Sequence, residues 1–321
     1  MKSVSLSLFV VVSAAVTACS PSANADGRGN IPADSTSEAL QLALPALPDT
    51  LVEPEARAAY LLMHFWDAMD WRDDKLVDSE DFMEQNAANF YDLFRLTDSL
   101  TASAATARML EAAAVSPKAY RVVAEIAEKY LYDPNSPMLN EESYLIVTDR
   151  LVADNHLDEG EMVRLADRRR RMLLNRVGTE ASDFVLTDRA GKSLSLSEIV
   201  SRRPYTVVMF YDTDCEDCKE AEHRLMTTPE LGDGIAAGLL SFVAVSPFEV
   251  EADEWSAQAA TFPGEWTVGY SPEGRVDADE IYDIRATPSI YVIGRDGRVL
   301  AKDVRADNLR EWIAYQLQQH N

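Results

Sequence analysis

Cysteine and basic residues are both scarce in this chain of 321 residues. It has three cysteines, too few for a fold that disulfides hold together. Lysine and arginine number 30 against 54 aspartates and glutamates, so the formal net charge is −24. Such acidity repels a phosphate backbone and argues against nucleic acid as a partner. Hydrophobic residues make up 47% of the chain, enough to bury the cores of two globular domains.

The apolar run within the first eighteen residues is too short for a membrane-spanning helix. Lys2 is followed by an apolar run over 6–16, whereas a spanning helix needs about 20 apolar residues. A basic start, an apolar middle and small residues at the end are typical of a secretory signal. The segment ends in Val16-Thr17-Ala18-Cys19, which resembles the lipobox of bacterial lipoproteins.

This resemblance implies a lipoprotein signal peptide over 1–18 and a lipid on Cys19, which anchors the protein to a membrane without spanning it. By analogy with lipoprotein sorting, Ser20 in place of an aspartate implies the outer membrane of a Gram-negative bacterium, facing the periplasm. An ordinary signal peptide cut near Ala18 is the alternative. Residues 19–48 are rich in Ser, Pro, Ala, Gly and Asn, a composition typical of a flexible tether.

Glycine and strand patterns are nearly absent between residues 49 and 177. Apolar residues recur there at helical spacing, for example at Tyr60, Leu61, Phe65 and Met69. The pattern predicts an all-α domain of five or six helices. A run of four cations over 168–171, near a helix C-terminus, indicates either a solvated face or a face that binds acids of the second domain.

From Ser182 onward the apolar pattern changes to the period of a β-strand. Continuous apolar runs predict central strands that are covered on both faces. Strands that alternate with helices, then a hairpin and a final helix, predict an α/β domain over 178–321. The predicted strands lie at about 184–187, 205–211, 239–245, 289–293 and 299–301, and the last helix at about 307–318. After a turn at 188–191, Leu194 and Leu196 are expected to continue the alternation of the first strand.

Two motifs of this region resemble the thioredoxin fold. Cys215-Glu216-Asp217-Cys218 lies at a strand-to-helix junction, and Ala286-Thr287-Pro288 opens a strand about 70 residues later. The entry segment over 178–186 is similar to the redoxin and cytochrome-maturation subgroup. The order of segments, with a proline-defined loop over 130–137, also resembles Gram-negative lipoproteins that carry an uncharacterised helical region before a thioredoxin-like domain. This resemblance implies an α + α/β protein and confers no known substrate.

The same resemblance implies a role for Thr287 and Pro288 in substrate binding. By family analogy the bond between them is cis and lies against the cysteine pair. A cis bond before proline is uncommon in folded proteins. Proline placed there would leave the preceding backbone free to pair with an extended substrate segment.

The cysteine pair has the spacing that thiol–disulfide exchange requires. Cys215 is expected at a helix N-terminus, where partial positive charge and free N–H groups stabilise a thiolate. Cys218 follows within one helical turn and is in reach of a disulfide with it. We therefore predict that Cys215 attacks the substrate and that Cys218, more buried, resolves the mixed disulfide. The Cys215–Cys218 disulfide is then the redox group, and no further cofactor is predicted.

Acidic residues surround this pair and favour one direction of exchange. Glu216 and Asp217 lie between the cysteines, and each nearby anion disfavours a thiolate. A destabilised thiolate makes the disulfide the favoured state, so we predict a reductant or a slow exchanger. His223, five residues after Cys218, is a candidate modulator because an imidazolium stabilises a thiolate. Ala221 stands where the cytochrome-maturation reductases have an acid.

Together these patterns predict a membrane-tethered periplasmic thiol–disulfide oxidoreductase, whose partners are protein thiol and disulfide clients and an unidentified reductant. The alternative is a binding or scaffold lipoprotein whose thioredoxin-like domain holds a static disulfide. The peroxiredoxin motif Thr-x-x-Cys does not fit, because Asp212 stands three residues before Cys215. No metal site is predicted, because the histidines are not spaced as ligands: His64, His156, His223 and His320.

Overall fold

The computed structural model describes residues 40–320. The predicted signal peptide, the lipidation site Cys19 and the tether as far as residue 39 lie outside the described residues. Within residues 40–320, every helix is too short or too polar to cross a membrane.

The chain is helical as far as residue 172. The bounds of these helices are Pro54–His64 (α1), Asp74–Val77 (α2), Glu80–Asp92 (α3), Ser99–Ala113 (α4), Pro117–Leu131 (α5), Glu141–Asp154 (α6) and Glu159–Met172 (α7). A 3₁₀ turn, Leu93–Leu96, continues α3. In the described part of the chain, the five or six predicted helices correspond to the long ones, and α2, with four residues, is additional.

Polar side chains explain where several of these helices begin. Ser116, Asn140 and Asp158 each accept a hydrogen bond from the backbone N–H three residues later, at 3.2, 2.9 and 2.9 Å. These bonds satisfy donors that the first turn of a helix leaves unpaired. The predicted loop over 130–137 begins two residues too early, because α5 continues to Leu131, and the segment that follows ends at the capped start of α6, Glu141.

The rest of the described chain is built on a seven-stranded mixed sheet with flanking helices. Its strands are Val185–Asp188 (β1), Ser193–Ser195 (β2), Tyr205–Phe210 (β3), Leu240–Ser246 (β4), Thr267–Tyr270 (β5), Ser289–Gly294 (β6) and Val299–Ala301 (β7). Their order across the sheet is β2-β1-β5-β4-β3-β6-β7. β4 pairs in parallel with β3 and β5, and the remaining neighbours are antiparallel.

Helices cover both faces of this sheet, as the buried runs predict. They are Leu196–Val200 (α8), Glu216–Met226 (α9), Pro229–Ala236 (α10), Ala252–Ala259 (α11), Arg275–Ala278 (α12) and Ala306–His320 (α13). Along β3, Val207 and Met209 belong to one core and Val208 and Phe210 to the other. This alternation is the signature of a central strand. The predicted α + α/β class is confirmed.

Two local details differ from the sequence-based expectation. Leu196, expected to continue the alternation of a strand, instead begins α8, because the Ser195 hydroxyl accepts a hydrogen bond from the N–H of Glu198 at 3.2 Å. β5 was not expected, because Gly269 interrupts its short apolar pattern.

Charged groups join the helical region to the sheet. Arg170 and Arg171 each lie 2.7 Å from a carboxylate oxygen of Glu280, so these two arginines bind an acid of the second region. Lys302 is 3% exposed at its side chain and lies 2.9 Å from Glu141. Its Nζ also donates to carbonyl oxygens at the end of α7, the nearest at 3.1 Å. A buried lysine thus supplies donors to carbonyls that the end of a helix leaves unpaired.

Candidate active site around Cys215 and Cys218

Cys215 stands at the N-terminus of α9, immediately after the central strand. Its backbone is extended, with φ −84° and ψ 117°, and its sulfur takes the place of a capping oxygen. The N–H of Cys218 donates to Cys215 Sγ at 3.1 Å. The backbone N–H of Cys215 donates to the carbonyl of Asp212 at 3.3 Å, which closes the turn between strand and helix. The Cys215 sulfur therefore lies at the positive end of the helix dipole.

The two cysteines differ in exposure. Both are free thiols in this structure; Cys215 is half-buried and Cys218 is 0% exposed. Burial, together with the interaction with Cys215, raises the pKa of Cys218 to about 12. Cys218 is thus a neutral thiol that a client cannot reach directly, whereas Cys215 is open to one.

The Thr287–Pro288 segment lies against the pair. The bond between these residues is cis, and Cys215 Sγ donates to the carbonyl oxygen of Thr287 at 3.3 Å. The hydroxyl of Ser289 donates to the carbonyl of Ala286 at 2.7 Å and braces the turn. The structure therefore brings together Cys215, Cys218, Thr287 and Pro288.

The predicted modulators occupy the outer side of α9. Glu216 is exposed and lies 2.6 Å from Lys219, and Asp217 is exposed between the cysteines. His223 is also exposed, and at five residues beyond Cys218 it is rotated roughly 140° around the helix from that residue. Its position does not direct it at the buried thiol, and its modulating role stays a prediction.

Glu222 is a buried acid that the sequence did not single out. It is 5% exposed and follows Cys218 by four residues, so both lie on the same face of α9. Burial raises the pKa of Glu222 to about 7, against a smaller opposing effect of Lys219. The amide Nε2 of Gln258 donates to Glu222 Oε1 at 3.4 Å. The signal that could have revealed it is the spacing of four from Cys218.

Arg285, two residues before Thr287, ties this site to the helical region. Its guanidinium carbon lies 4.3 Å from the ring centroid of Tyr132, which precedes α6. Its Nη2 donates to Glu141 at 3.2 Å and to Asp303 at 3.3 Å. The side chain is 15% exposed, so these contacts are shielded from water. The turn that carries the cis bond is therefore fixed from both regions.

Comparisons with known proteins give a matching family model for each of the two regions. Residues 18–175 match the family model described as a domain of unknown function (DUF5106), and residues 193–317 match a thioredoxin-like domain. A thioredoxin-like protein from Bacteroides caccae is 30% identical, with a TM-score of 0.79 over 86% of this chain and 99% of that one. The chain belongs to the thioredoxin-like family. A helical region of unknown function before a thioredoxin-like domain is thereby confirmed; the lipobox at Cys19 stays a prediction.

Two further solved structures resemble only part of the chain. The C-terminal domain of an uncharacterized protein from Bacteroides fragilis is 30% identical, with a TM-score of 0.41 over 44% of this chain and 98% of that chain. The thioredoxin domain of a thiol-disulfide oxidoreductase from Bacteroides vulgatus is 22% identical, with a TM-score of 0.38 over 43% and 96%. No curated protein matches the chain. The thioredoxin-like domain supports a function of the redox type.

The buried carboxyl of this domain predicts a pH-dependent stability. Because burial raises the pKa of Glu222 from its ordinary 4.5 to about 7, the folded protein keeps a proton that the unfolded chain loses between these values. Stability should fall as the pH rises through this window. Glu222→Gln, which removes the charge, should raise the free energy of unfolding at pH 8 by about 3 kcal/mol and at pH 4.5 by far less.

Urea denaturation of both proteins at pH 4.5 and pH 8 measures this difference. Glu220→Gln is the matched control, because Glu220 is exposed on the same helix and its change should alter stability little at either pH. An equal gain for Glu222→Gln at both pH values would contradict the prediction.

Proposed function

We propose that this protein is a thiol–disulfide oxidoreductase that reduces or slowly exchanges protein disulfides through Cys215 and Cys218. The observation that carries the proposal is the unequal pair at the start of α9. Cys215 is partly exposed and its sulfur accepts the N–H of Cys218 at 3.1 Å, while Cys218 is fully buried. One cysteine is thus available to a client and the other only to its neighbour.

In the first step, the Cys215 thiolate attacks one sulfur of a client disulfide. A bond forms between Cys215 and the client, the client S–S bond breaks, and the released client thiolate takes a proton from solvent. The N–H of Cys218 and the helix dipole stabilise negative charge on the attacking sulfur. In the reduced state the Cys215 thiol donates a hydrogen bond to the carbonyl oxygen of Thr287, and the thiol must lose its proton before attack.

In the second step, Cys218 loses its proton and attacks Cys215 Sγ. The Cys215–Cys218 disulfide forms, the mixed disulfide breaks, and the second client sulfur leaves as a thiolate that is then protonated. The client gains two electrons and two protons, and the pair loses them. An external thiol or dithiol reductant then restores the pair.

Glu222 is the group that takes the proton from Cys218 in this proposal. A thiol with a pKa of about 12 needs a base in order to attack near neutral pH. Glu222 is buried one helical turn from Cys218, and its pKa of about 7 suits a group that both accepts and returns a proton. The acidic surroundings of the pair, Glu216 and Asp217 among them, support the reducing direction.

Insulin reduction by dithiothreitol tests the cycle. Wild-type protein should accelerate the reduction, and Cys215→Ser should abolish the acceleration, because no sulfur is left to attack. Cys218→Ser should instead accumulate mixed disulfides with its clients, which migrate as larger species until they are reduced. Equal rates for wild type and Cys215→Ser would favour the alternative, a binding or scaffold protein with a static disulfide.

Anchoring to the periplasmic face of the outer membrane is the second part of the proposal, and the lipobox resemblance over 16–19 supports it. The full chain expressed in a Gram-negative host should incorporate labelled palmitate and sediment with outer membranes. Cys19→Ala should lose the label, while Cys218→Ser, an equal loss of one thiol, should keep it. Label in Cys19→Ala would contradict the anchor.

A further inference from the structure

A groove of about 310 Å³ opens beside the cysteine pair, and both regions of the chain line it. Pro134 and Leu139 come from the helical region, Asp217 from the Cys-x-x-Cys segment, and Ala286, Pro288 and Ile290 from the cis turn and β6. We call this space the client groove. Of its fourteen lining residues, eight are apolar and six are charged.

The client groove lies next to the sulfur that attacks. Asp217 stands between the two cysteines in the chain. Thr287, whose carbonyl accepts from Cys215 Sγ at 3.3 Å, has both of its chain neighbours, Ala286 and Pro288, in the lining. The groove is therefore lined by chain neighbours of Cys215 and of the Thr287 carbonyl that it contacts.

Hydrogen bonds fix the segment of the helical region that lines the groove. The hydroxyl of Ser136 donates to the carbonyl of Tyr130 at 2.6 Å, and the N–H of Leu139 donates to the carbonyl of Ser136 at 3.2 Å. The contact of Tyr132 with Arg285 holds this segment against the cis turn. The wall is preformed, so a client loses less binding free energy in ordering it.

The rim of the groove is negatively charged. Its charged lining residues are four acids and two arginines: Asp217, Glu220, Asp303, Asp307, Arg224 and Arg305. Arg224 lies 2.5 Å from Glu220 and 3.7 Å from Asp307, so its charge is shared between them. The net negative potential attracts a cationic side chain and repels an acidic one.

We propose that the DUF5106 domain completes the client groove, and that the groove selects disulfides whose cysteine is flanked by an apolar side chain and a lysine or arginine. The proposal rests on the oxidoreductase function proposed above and names its substrate class. The apolar side chain packs against Leu139 and Pro288, and the cation lies at the acidic rim.

Three synthetic peptides, each closed by one internal disulfide, test the selection with the full chain and dithiothreitol as reductant. They differ only before the first cysteine, which is preceded by Leu-Lys, Leu-Glu or Ser-Lys. The Leu-Lys peptide should be reduced with kcat/KM about tenfold above Leu-Glu and about fivefold above Ser-Lys. The preference over Leu-Glu should shrink as salt rises from 50 to 500 mM, roughly as the screening length falls.

Two variants assign the preferences to the groove. Leu139→Ser should remove most of the preference for Leu-Lys over Ser-Lys, and Asp307→Asn should reduce the preference over Leu-Glu. Leu100→Ser is the control for the first, because Leu100 is 81% exposed in the helical region away from the groove. Asp81→Asn is the control for the second, because Asp81 and Asp307 are both exposed in the first turn of a helix.

The outcomes separate this inference from the function on which it rests. Equal rates for the three peptides, or preferences that survive in Leu139→Ser and Asp307→Asn, would contradict client selection by the groove. Neither result would contradict the proposed oxidoreductase function. Bis(2-hydroxyethyl) disulfide, too small to use the groove, serves as the reference substrate. If Cys215→Ser reduced it and the peptides as fast as wild type, the oxidoreductase function itself would fail. Circular dichroism confirms that each variant is folded.

Discussion

The chemistry of this site depends on one hydrogen bond, the donation of the Cys218 N–H to Cys215 Sγ at 3.1 Å. It makes the first cysteine the cap of α9, which holds that sulfur at the positive end of the helix and leaves it partly open. The same short turn places Cys218 on the inner face, where burial raises its pKa to about 12. One local structure thus divides two identical residues into an attacking thiol and a protected one.

The helical region is bound to this site through buried charges. Glu141 at the start of α6 lies 3.2 Å from Arg285 and 2.9 Å from Lys302. Arg285 stands two residues before Thr287, so the position of the cis turn depends on a side chain from the other region. Removal of Glu141 would leave Arg285 and Lys302 buried with one acidic partner fewer, which costs free energy. The two regions therefore share one network of buried charges.

Sequence patterns could predict the fold more fully than the site. The apolar runs of β3 and β4 and the Cys-x-x-Cys spacing are local signals, and so is the helical spacing before residue 172. The burial of Glu222 is decided by packing of α9 on the sheet, and the pairing of Arg285 with Glu141 spans 144 residues. A local sequence pattern cannot indicate contacts between residues so far apart in the chain. The arginine run over 168–171 was predictable in part. Its sequence indicated two possible roles, and only the fold shows that Arg170 and Arg171 bind Glu280.

Equilibration of the full chain with glutathione buffers of graded ratio tests the central claim, that the pair cycles and favours the disulfide. Alkylation and mass spectrometry at each ratio give the fraction of Cys215–Cys218 disulfide. We predict a reversible two-electron transition with a potential well below the roughly −120 mV of strongly oxidising relatives. A pair that stays reduced at every ratio, a pair that even dithiothreitol does not reduce, or a potential near that value would contradict the account.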